Sequence, residues 1–263
     1  MITEDLNNCI NIKDFPINDL QWKKIKRDEY DRTGILSLEN FITKESVDEL
    51  QNESMSKLKY AYFNPQLHNV YLKPFNNSLP LDHPRNTNVR SSKGCITDDI
   101  IDKNSSLRKI YNSLNFINFI AYVTRNKKLF PYDDKLSSIN IHFAREGEEL
   151  GWHFDNSSFA ITIMINDVTS GGLFEYTKPI RGQQIPKSDE FKNVSDVLEG
   201  QFETSTISMK PGGLLLFNGK NSMHRVTKVK CNETRVLAVL AYNDKPGVSL
   251  SASAQMTFYG KKG

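Results

Sequence analysis

The spacing of hydrophobic residues changes near residue 135, and this change divides the chain into two parts. Up to about residue 135, helical patterns alternate with polar loops. From about 137 to 244, short apolar or alternating runs are separated by turn sequences such as Ser170-Gly171-Gly172 and Pro211-Gly212-Gly213. We therefore expect supporting helices first and a β-rich unit after them.

The first part contains one predicted strand, two predicted helices and a long loop. Residues 34–42 alternate like a strand, and Thr43 can then cap a helix that runs to about Tyr60. A second helix is expected after Ser105 and Ser106, because apolar residues recur at helical spacing as far as Tyr122. The stretch 64–104 is rich in Asn, Pro and Ser, which predicts a loop.

The second part predicts a jelly roll. Strands are expected near 137–145, 151–155, 159–166, 172–177, 203–209, 213–218, 222–229 and 234–242. About eight short strands without a repeating helix favour a mostly β fold with flanking helices, a cupin-like double-stranded β-helix. We predict a single domain over 1–263: helical and loop support in 1–135, a core in 136–245 with a lid-like insertion at 178–200, and a C-terminal extension at 246–263.

Composition restricts the classes of partner. The net charge is only +3 and no basic patch stands out, which argues against a nucleic-acid ligand. The three cysteines form no CxxC pair, which is typical of a reducing compartment. No secretory signal or apolar run of about 20 residues is present, so we expect a soluble cytoplasmic protein without a membrane partner. The sequence does not predict its oligomeric state.

A possible metal site begins with Gly151-Trp152-His153-Phe154-Asp155. Side chains two apart on a strand share a face, so His153 and Asp155 project together while Trp152 and Phe154 point into packing. His224, on a later strand, can face them across a barrel. Two imidazoles and one carboxylate are typical of non-haem Fe(II) oxygenases, whereas structural zinc takes four protein ligands. The alternative is that the His-x-Asp pattern occurs by chance and that each histidine only packs.

Arg235 is the only charged residue inside the apolar strand 234–242. A buried charge is costly unless it is paired, so this guanidinium should have an anionic partner. Its planar fork suits a carboxylate. The alternative is an arginine at a strand edge in solvent.

The order His153, Asp155, His224 and Arg235 resembles the signature of 2-oxoglutarate/Fe(II)-dependent dioxygenases. Further runs, including Gly171–Tyr176 and the final Phe258-Tyr259-Gly260, extend the resemblance over about residues 80–260. They are similar to a small-molecule branch with amino-acid hydroxylases, radical halogenases and kainoid-type oxidative cyclases. The resemblance implies iron ligands at His153, Asp155 and His224, an Arg235 clamp for the distal carboxylate of 2-oxoglutarate, and Fe(II), 2-oxoglutarate and dioxygen as cofactors.

Two positions depart from patterns within that superfamily. Many relatives have a hydroxyl two residues after the arginine, where this chain has Leu237, so a second cosubstrate contact must come from elsewhere. Asn140 is the candidate, because Asn140, His142 and Ala144 share one face of the strand that precedes the His-x-Asp strand. The alternative is an amide that caps the sheet edge. The radical halogenases have a small residue in place of the carboxylate, so Asp155 argues against halogenation.

We therefore expect oxidation of an unactivated C–H bond, most simply hydroxylation, in an amino acid or amino-acid derivative. The alternatives are an oxidative cyclase or desaturase of a kainoid-type N-substituted amino acid, a protein or nucleic-acid oxygenase, and a non-enzymatic jelly-roll binding module. Arg85 and Arg181 are candidates for binding a substrate carboxylate, although each also fits a solvated loop. His142 is a candidate substrate contact inside the barrel.

Overall fold

The computed structural model describes residues 6–263, and two antiparallel sheets form its centre. The strands are β1 (Ile35–Leu38), β2 (Tyr62–Phe63), β3 (Gln66–Asn69), β4 (Asn88–Ser91), β5 (Gly94–Ile96), β6 (Ile139–Ala144), β7 (Leu150–His153), β8 (Ala160–Asn166), β9 (Phe174–Tyr176), β10 (Ser205–Ile207), β11 (Leu214–Phe217), β12 (His224–Val226) and β13 (Arg235–Leu240). The larger sheet has the order β1-β11-β8-β13-β6-β5-β2, and the smaller has the order β10-β9-β12-β7-β4-β3.

Helices flank the sheets. They are α1 (Leu20–Thr33), α2 (Lys44–Lys57), α3 (Ser106–Asn112), α4 (Leu114–Val123), α5 (Lys187–Leu198) and α6 (Ala252–Tyr259), with 3₁₀ turns at Leu58–Tyr60 and Asp98–Ile100. Within residues 6–263, no helix combines the length and the apolar composition that crossing a bilayer requires.

The predicted jelly roll is confirmed, because all eight strands expected between 137 and 242 are present as β6 to β13. Each observed strand lies within the predicted range or within a residue of it. The two sheets leave an interior space between them, and the strands that carry the predicted metal ligands belong to the smaller sheet.

The main hydrophobic core lies on the outer face of the larger sheet. Ile161 and Ile163 of β8 pack there with Phe116 and Phe119 of α4, and all four are fully buried. Side chains alternate along each strand, so the opposite face of the same strands is directed into the interior. The helices thus hold the larger sheet in place from outside and leave its inner face available for ligands.

The prediction of a loop over 64–104 is wrong in part. Strands β3 and β4 pair with each other, β4 extends the smaller sheet beside β7, and β5 extends the larger sheet beside β6. These strands have only three or four residues. Their hydrogen bonds come from backbone pairing at sheet edges, which leaves little hydrophobic periodicity in the sequence.

Other differences concern helices. Thr43 caps α2 as predicted, by accepting from the Ser46 amide. The single helix expected after Ser105 is two, because Ser113 has an extended backbone that ends α3 and begins α4. Helices α1 and α6 were not predicted.

A matched pair of substitutions tests this placement of α3 and α4. Leu107 is fully buried, whereas Leu114, which has the same side chain, is 66% exposed. We expect Leu107→Ala to lower the free energy of unfolding by about 2–5 kcal/mol, because it leaves a cavity in the core. Leu114→Ala should change it by about 0.5 kcal/mol or less. Urea denaturation measures both, and equal losses would contradict the break at Ser113.

Candidate metal centre and active-site cavity

Neighbouring strands of the smaller sheet bring the two predicted histidine ligands together. His153 ends β7, His224 begins β12, and the two residues are directly paired across these antiparallel strands. Their rings lie 4.2 Å apart between centroids, and both side chains are buried. The pairing explains how residues distant in sequence present their imidazoles to one point.

Asp155 completes the cluster from the turn immediately after β7. Its Oδ1 atom lies 3.7 Å from His153 Nε2 and 3.5 Å from His224 Nε2. One ligand atom from each of the three residues lies within 4.8 Å of the others. The structure therefore brings together the three side chains expected from the sequence, in the combination that leaves coordination positions open on a metal.

Backbone carbonyls orient both imidazoles. His153 Nδ1 lies 2.8 Å from the Gly151 carbonyl oxygen, and His224 Nδ1 lies 3.2 Å from that of Ser222. A proton on Nδ1 can donate to each carbonyl, which leaves the Nε2 lone pair for a metal. Burial, with repulsion from His224, lowers the pKa of His153 to about 3, so its imidazole is neutral at physiological pH.

The Asp155 carboxylate is the charged member of the cluster. Burial alone would raise the pKa of Asp155, but attraction and hydrogen bonding to His224, followed by attraction to His153, hold it below its usual value. Its Oδ2 atom is buried without a hydrogen-bond partner among the described residues. A cation held between the three side chains would satisfy this oxygen, and this observation shows that the residues fit a metal ion.

Gly219 makes room for that carboxylate. A Cβ atom added to Gly219 would lie 2.0 Å from Asp155 Oδ2 and 2.7 Å from His224 Cε1. The Gly219 carbonyl also accepts a hydrogen bond from the Asp155 amide at 3.0 Å. Any larger residue at position 219 would therefore displace a ligand. From the sequence alone, the pair Asn218-Gly219 predicts only a turn.

A cavity of about 800 Å³ opens between the two sheets and includes the three ligand side chains. Its inner walls are mostly apolar, with Phe217 and Leu215 from β11 and Leu237 and Val239 from β13. The volume is in the range of small-molecule binding sites.

Arg235 is the only arginine among the described residues that line this cavity. It is 5% exposed, and its Nε atom has no hydrogen-bond partner in the described part of the chain. Burial lowers the pKa of Arg235 to about 10, although Asp167 opposes the shift, so the guanidinium is charged at neutral pH. Gly172 permits this position, because a Cβ there would lie 3.0 Å from Arg235 Cδ.

Asn140 faces the cavity, as strand parity predicted, but its amide is already engaged. Its Nδ2 donates to the carbonyls of Leu136 at 2.8 Å and Ile139 at 2.9 Å, and its Oδ1 accepts from Tyr259 at 3.0 Å. Both N–H donors are therefore used within the protein. Contact with 2-oxoglutarate stays a prediction and would require these bonds to be exchanged.

His142 lines the cavity beside Lys93, a residue that the sequence alone did not indicate as part of the site. The Lys93 ammonium lies 3.0 Å from His142 Nδ1 and 3.1 Å from its Nε2. Burial, followed by repulsion from Lys93 and Arg235, lowers the pKa of His142 well below its usual value. The imidazole is therefore neutral and can accept a hydrogen bond from the ammonium.

The two loop arginines predicted to bind substrate lie outside the cavity. Arg181 donates to the Lys220 carbonyl at 2.5 Å, and its guanidinium lies 3.9 Å from the centre of the Phe154 ring. Arg85 lies 5.6 Å from the Tyr71 ring. In this arrangement Arg181 supports the metal-binding turn from behind. A substrate contact by Arg85 or Arg181 stays a prediction.

The insertion at 178–200 likewise packs behind the metal site. Val194 and Val197 of α5 are buried against Trp152 and Phe154, the residues expected to point away from the ligands. No residue of 178–200 lines the cavity. A role as a lid thus stays a prediction, and the described contacts are those of a support for β7.

Arg225 follows the predicted ligand His224 on β12, so alternation along the strand directs its side chain away from the cluster. Its Nε atom lies 2.7 Å from Glu175 Oε2, and its guanidinium stacks 4.7 Å from the Trp152 ring.

Comparison with known protein families identifies the chain. The model of the family described as HalD, halogenase D, matches residues 19–257. The chain belongs to the halogenase D family. No curated protein sequence matches it.

Solved structures similar to this halogenase D family member include several 2-oxoglutarate-dependent enzymes. The non-heme alpha-ketoglutarate-dependent epimerase SnoN from nogalamycin biosynthesis has a TM-score of 0.60 at 10% identity, over 85% of this chain and 81% of that chain. HygX from Streptomyces hygroscopicus, solved with nickel, 2-oxoglutarate and hygromycin B, has a TM-score of 0.56 at 13% identity, over 86% and 89%. A Pseudomonas putida prolyl-4-hydroxylase has a TM-score of 0.52 at 10% identity, over 82% and 96%. At these identities the likeness establishes the fold, and the predicted resemblance to 2-oxoglutarate/Fe(II) oxygenases is confirmed at that level.

The contact between Gly219 and Asp155 gives a test of the metal centre. We expect Gly219→Ala to weaken Fe(II) or Co(II) binding by about 10–100-fold, because the added methyl group displaces the carboxylate. The matched control is Asn218→Ala. The Asn218 side chain makes no hydrogen bond in the described structure, and the substitution retains the hydrogen bond from its backbone amide to the Gly34 carbonyl. Its affinity should stay within about twofold of the wild type. Anaerobic metal titration measures both, and unchanged affinity in Gly219→Ala would contradict the ligand role of Asp155.

Proposed function

We propose that the protein is an Fe(II)/2-oxoglutarate-dependent oxygenase that oxidises an unactivated C–H bond of a small molecule, by hydroxylation of an amino acid or amino-acid derivative. The observation that carries the proposal is one cavity that contains both the His153, Asp155 and His224 cluster and the buried cation Arg235. Membership of the halogenase D family and the shared fold support the same class.

His153, Asp155 and His224 would hold the iron. With 2-oxoglutarate and dioxygen, the bound iron would supply the oxidant for the C–H bond, while 2-oxoglutarate is converted to succinate and carbon dioxide. The protein contributes two imidazoles, whose orientation the carbonyls of Gly151 and Ser222 fix, and one carboxylate. This set of ligands would leave coordination positions on the metal open.

Arg235 would bind the distal carboxylate of 2-oxoglutarate. The guanidinium has a free donor at Nε and lies inside an apolar space, where a charge-assisted pair is stronger than in water. Leu237, next in line on the same face of β13, is 9% exposed and offers no hydrogen bond. The apolar wall would exclude water from the reacting carbon.

The cavity also supports a small-molecule substrate. A volume of about 800 Å³ can contain 2-oxoglutarate and a second molecule of similar size. Its lining also includes Pro74 and Phe75 from the segment after β3, and Thr257, Phe258 and Tyr259 of α6. No disulfide joins any of the three cysteines, which supports the proposal of a cytoplasmic location.

The family name raises halogenation as a second activity, and the presence of Asp155 supports oxygenation instead. A halide that binds iron needs a coordination position that a carboxylate ligand would otherwise take. Here the carboxylate is present, the backbone fixes its position, and Gly219 accommodates it. We therefore propose oxygenation.

A screen of metabolites in chloride buffer tests the reaction. With Fe(II) and 2-oxoglutarate, we expect a pool of amino acids and their derivatives to stimulate succinate formation and to yield a product that gains one oxygen atom. Loss of two hydrogen atoms would indicate desaturation or ring closure, and a chlorine isotope pattern would contradict the argument from Asp155. His153→Ala should abolish the stimulation. Turnover with only protein or nucleic-acid fractions would overturn the small-molecule proposal.

Arg235→Gln tests the cosubstrate clamp. Loss of the charged bidentate partner should raise the dissociation constant for 2-oxoglutarate by at least about tenfold. The weak visible absorption that Fe(II) and 2-oxoglutarate produce together without oxygen measures this binding. Arg125→Gln is the matched control, since that side chain is 63% exposed and pairs with Asp31 at the surface. Equal affinities for 2-oxoglutarate in the two variants would contradict the proposed role of Arg235.

A further inference from the structure

Lys93 is a second cation inside the active-site cavity, and the proposed function leaves it without a role. It lies just before β5, lines the cavity and contacts the neutral His142 ring. An ammonium has three donors, and this contact uses one of them. The others are available to a ligand in the cavity.

No carboxylate of the described chain pairs with Lys93. Asp155 is the only acidic residue among those described along the cavity wall, and it belongs to the metal cluster. The adjacent Cys95 supplies no counter-charge, because burial raises the pKa of its thiol to about 11. Burial correspondingly lowers the pKa of Lys93 itself. An unpaired ammonium in such a site is costly, and an anionic ligand would remove the cost.

The strand register separates Lys93 from the metal centre. Cys95 of β5 pairs with His142 of β6, and His142 pairs in turn with Leu237 of β13. Lys93 therefore approaches from the edge of the larger sheet, whereas the metal ligands lie on the smaller sheet. A molecule bound to Lys93 would have one end anchored on one sheet and the rest directed across the cavity.

The balance of charges distinguishes this cation from the cosubstrate clamp. When the proposed cofactors are bound, Fe(II) and the 2-oxoglutarate dianion cancel, and so do Asp155 and Arg235. Among the described lining residues, Lys73 is exposed to solvent at the rim, and only the charge of Lys93 is left inside. One further negative charge would balance it, and a carboxylate on the substrate can supply that charge.

We propose that Lys93, with His142 beside it, binds the carboxylate of the substrate. The inference rests on the proposed function and adds the residue that anchors the substrate in the cavity. It replaces the two loop arginines as the site of that contact, because neither lines the cavity. His142 keeps the role of a cavity contact, as the partner that positions the ammonium.

The test compares acids with their amides on the anaerobic Fe(II) and 2-oxoglutarate complex. The probes are free amino acids, N-alkyl amino acids and hydroxy acids, each beside its carboxamide. We expect members of the acid set to shift the visible absorption of the complex and to stimulate succinate formation, and the matched amides to be at least about tenfold weaker. This comparison uses the wild-type protein and does not depend on the folding of a variant.

Variants then locate the contact. Lys93→Met should raise the half-saturating concentration of the acids about 10–100-fold and leave the dissociation constant for 2-oxoglutarate within about twofold. Lys93→Arg, which retains the charge, should recover part of the affinity. Lys127→Met is the matched control, because it removes the same charge from an exposed lysine outside the cavity.

Three results would overturn the inference. They are amides as effective as acids, no response to any acid, and a loss of 2-oxoglutarate affinity in Lys93→Met as large as in Arg235→Gln. The last result would make Lys93 a second anchor of the cosubstrate. If the wild type develops no visible absorption with Fe(II) and 2-oxoglutarate, the oxygenase proposal itself fails, and that failure is visible before any acid is added.

Discussion

The burial of charge inside an apolar cavity is the constraint on which this structure depends. Asp155, Arg235 and Lys93 all face a cavity whose inner wall carries apolar side chains, among them Leu215, Phe217 and Leu237. Among the described residues, no ion pair joins any two of the three. An ionised group in such surroundings is unfavourable unless a counter-charge is supplied. The protein alone does not supply these counter-charges. In the proposed function, the metal, the cosubstrate and the substrate would supply them.

The two sheets carry different parts of this group of charged and metal-binding side chains. The smaller sheet holds the metal ligands through the direct pairing of His153 with His224, and its outer face is fixed by Trp152, Phe154 and the residues of α5. The larger sheet carries Arg235 and approaches Lys93 at its edge, and its outer face is covered by the helical core. Each sheet is therefore packed against other residues on the side away from the cavity. The positions of the His153, Asp155 and His224 cluster and of the two cations relative to each other thus depend on packing outside the cavity.

The sequence could predict the parts of this arrangement that depend on the alternation of side chains along a single strand. Alternation along 151–155 places His153 and Asp155 on one side of the strand and Trp152 on the other. In 234–242, Arg235 stands out as the only charged residue of an apolar strand. The same rule placed Asn140 on the inner face, yet it could not show that Tyr259, far along the chain, occupies the amide oxygen. Gly219 and Lys93 were missed for a related reason. Gly219 matters because it leaves space for the Asp155 carboxylate, and Lys93 matters because no carboxylate of the described residues pairs with it. Both features arise only when the chain has folded.

Asp155 also shows how this chain differs from what its family name describes. Its carboxylate is held by its own backbone bond to Gly219, by the space that Gly219 leaves, and by Arg181, whose Nη2 atom lies 3.5 Å from the Asp155 carbonyl oxygen. These contacts involve residues on three separate segments, so the carboxylate is built into the turn and is more than a single interchangeable side chain. A relative with a small residue at this position would leave the same space open next to the metal, where a halide can bind. In this chain that space is filled by the Asp155 carboxylate, which the surrounding contacts hold in place, and its presence there supports the proposed oxygenation.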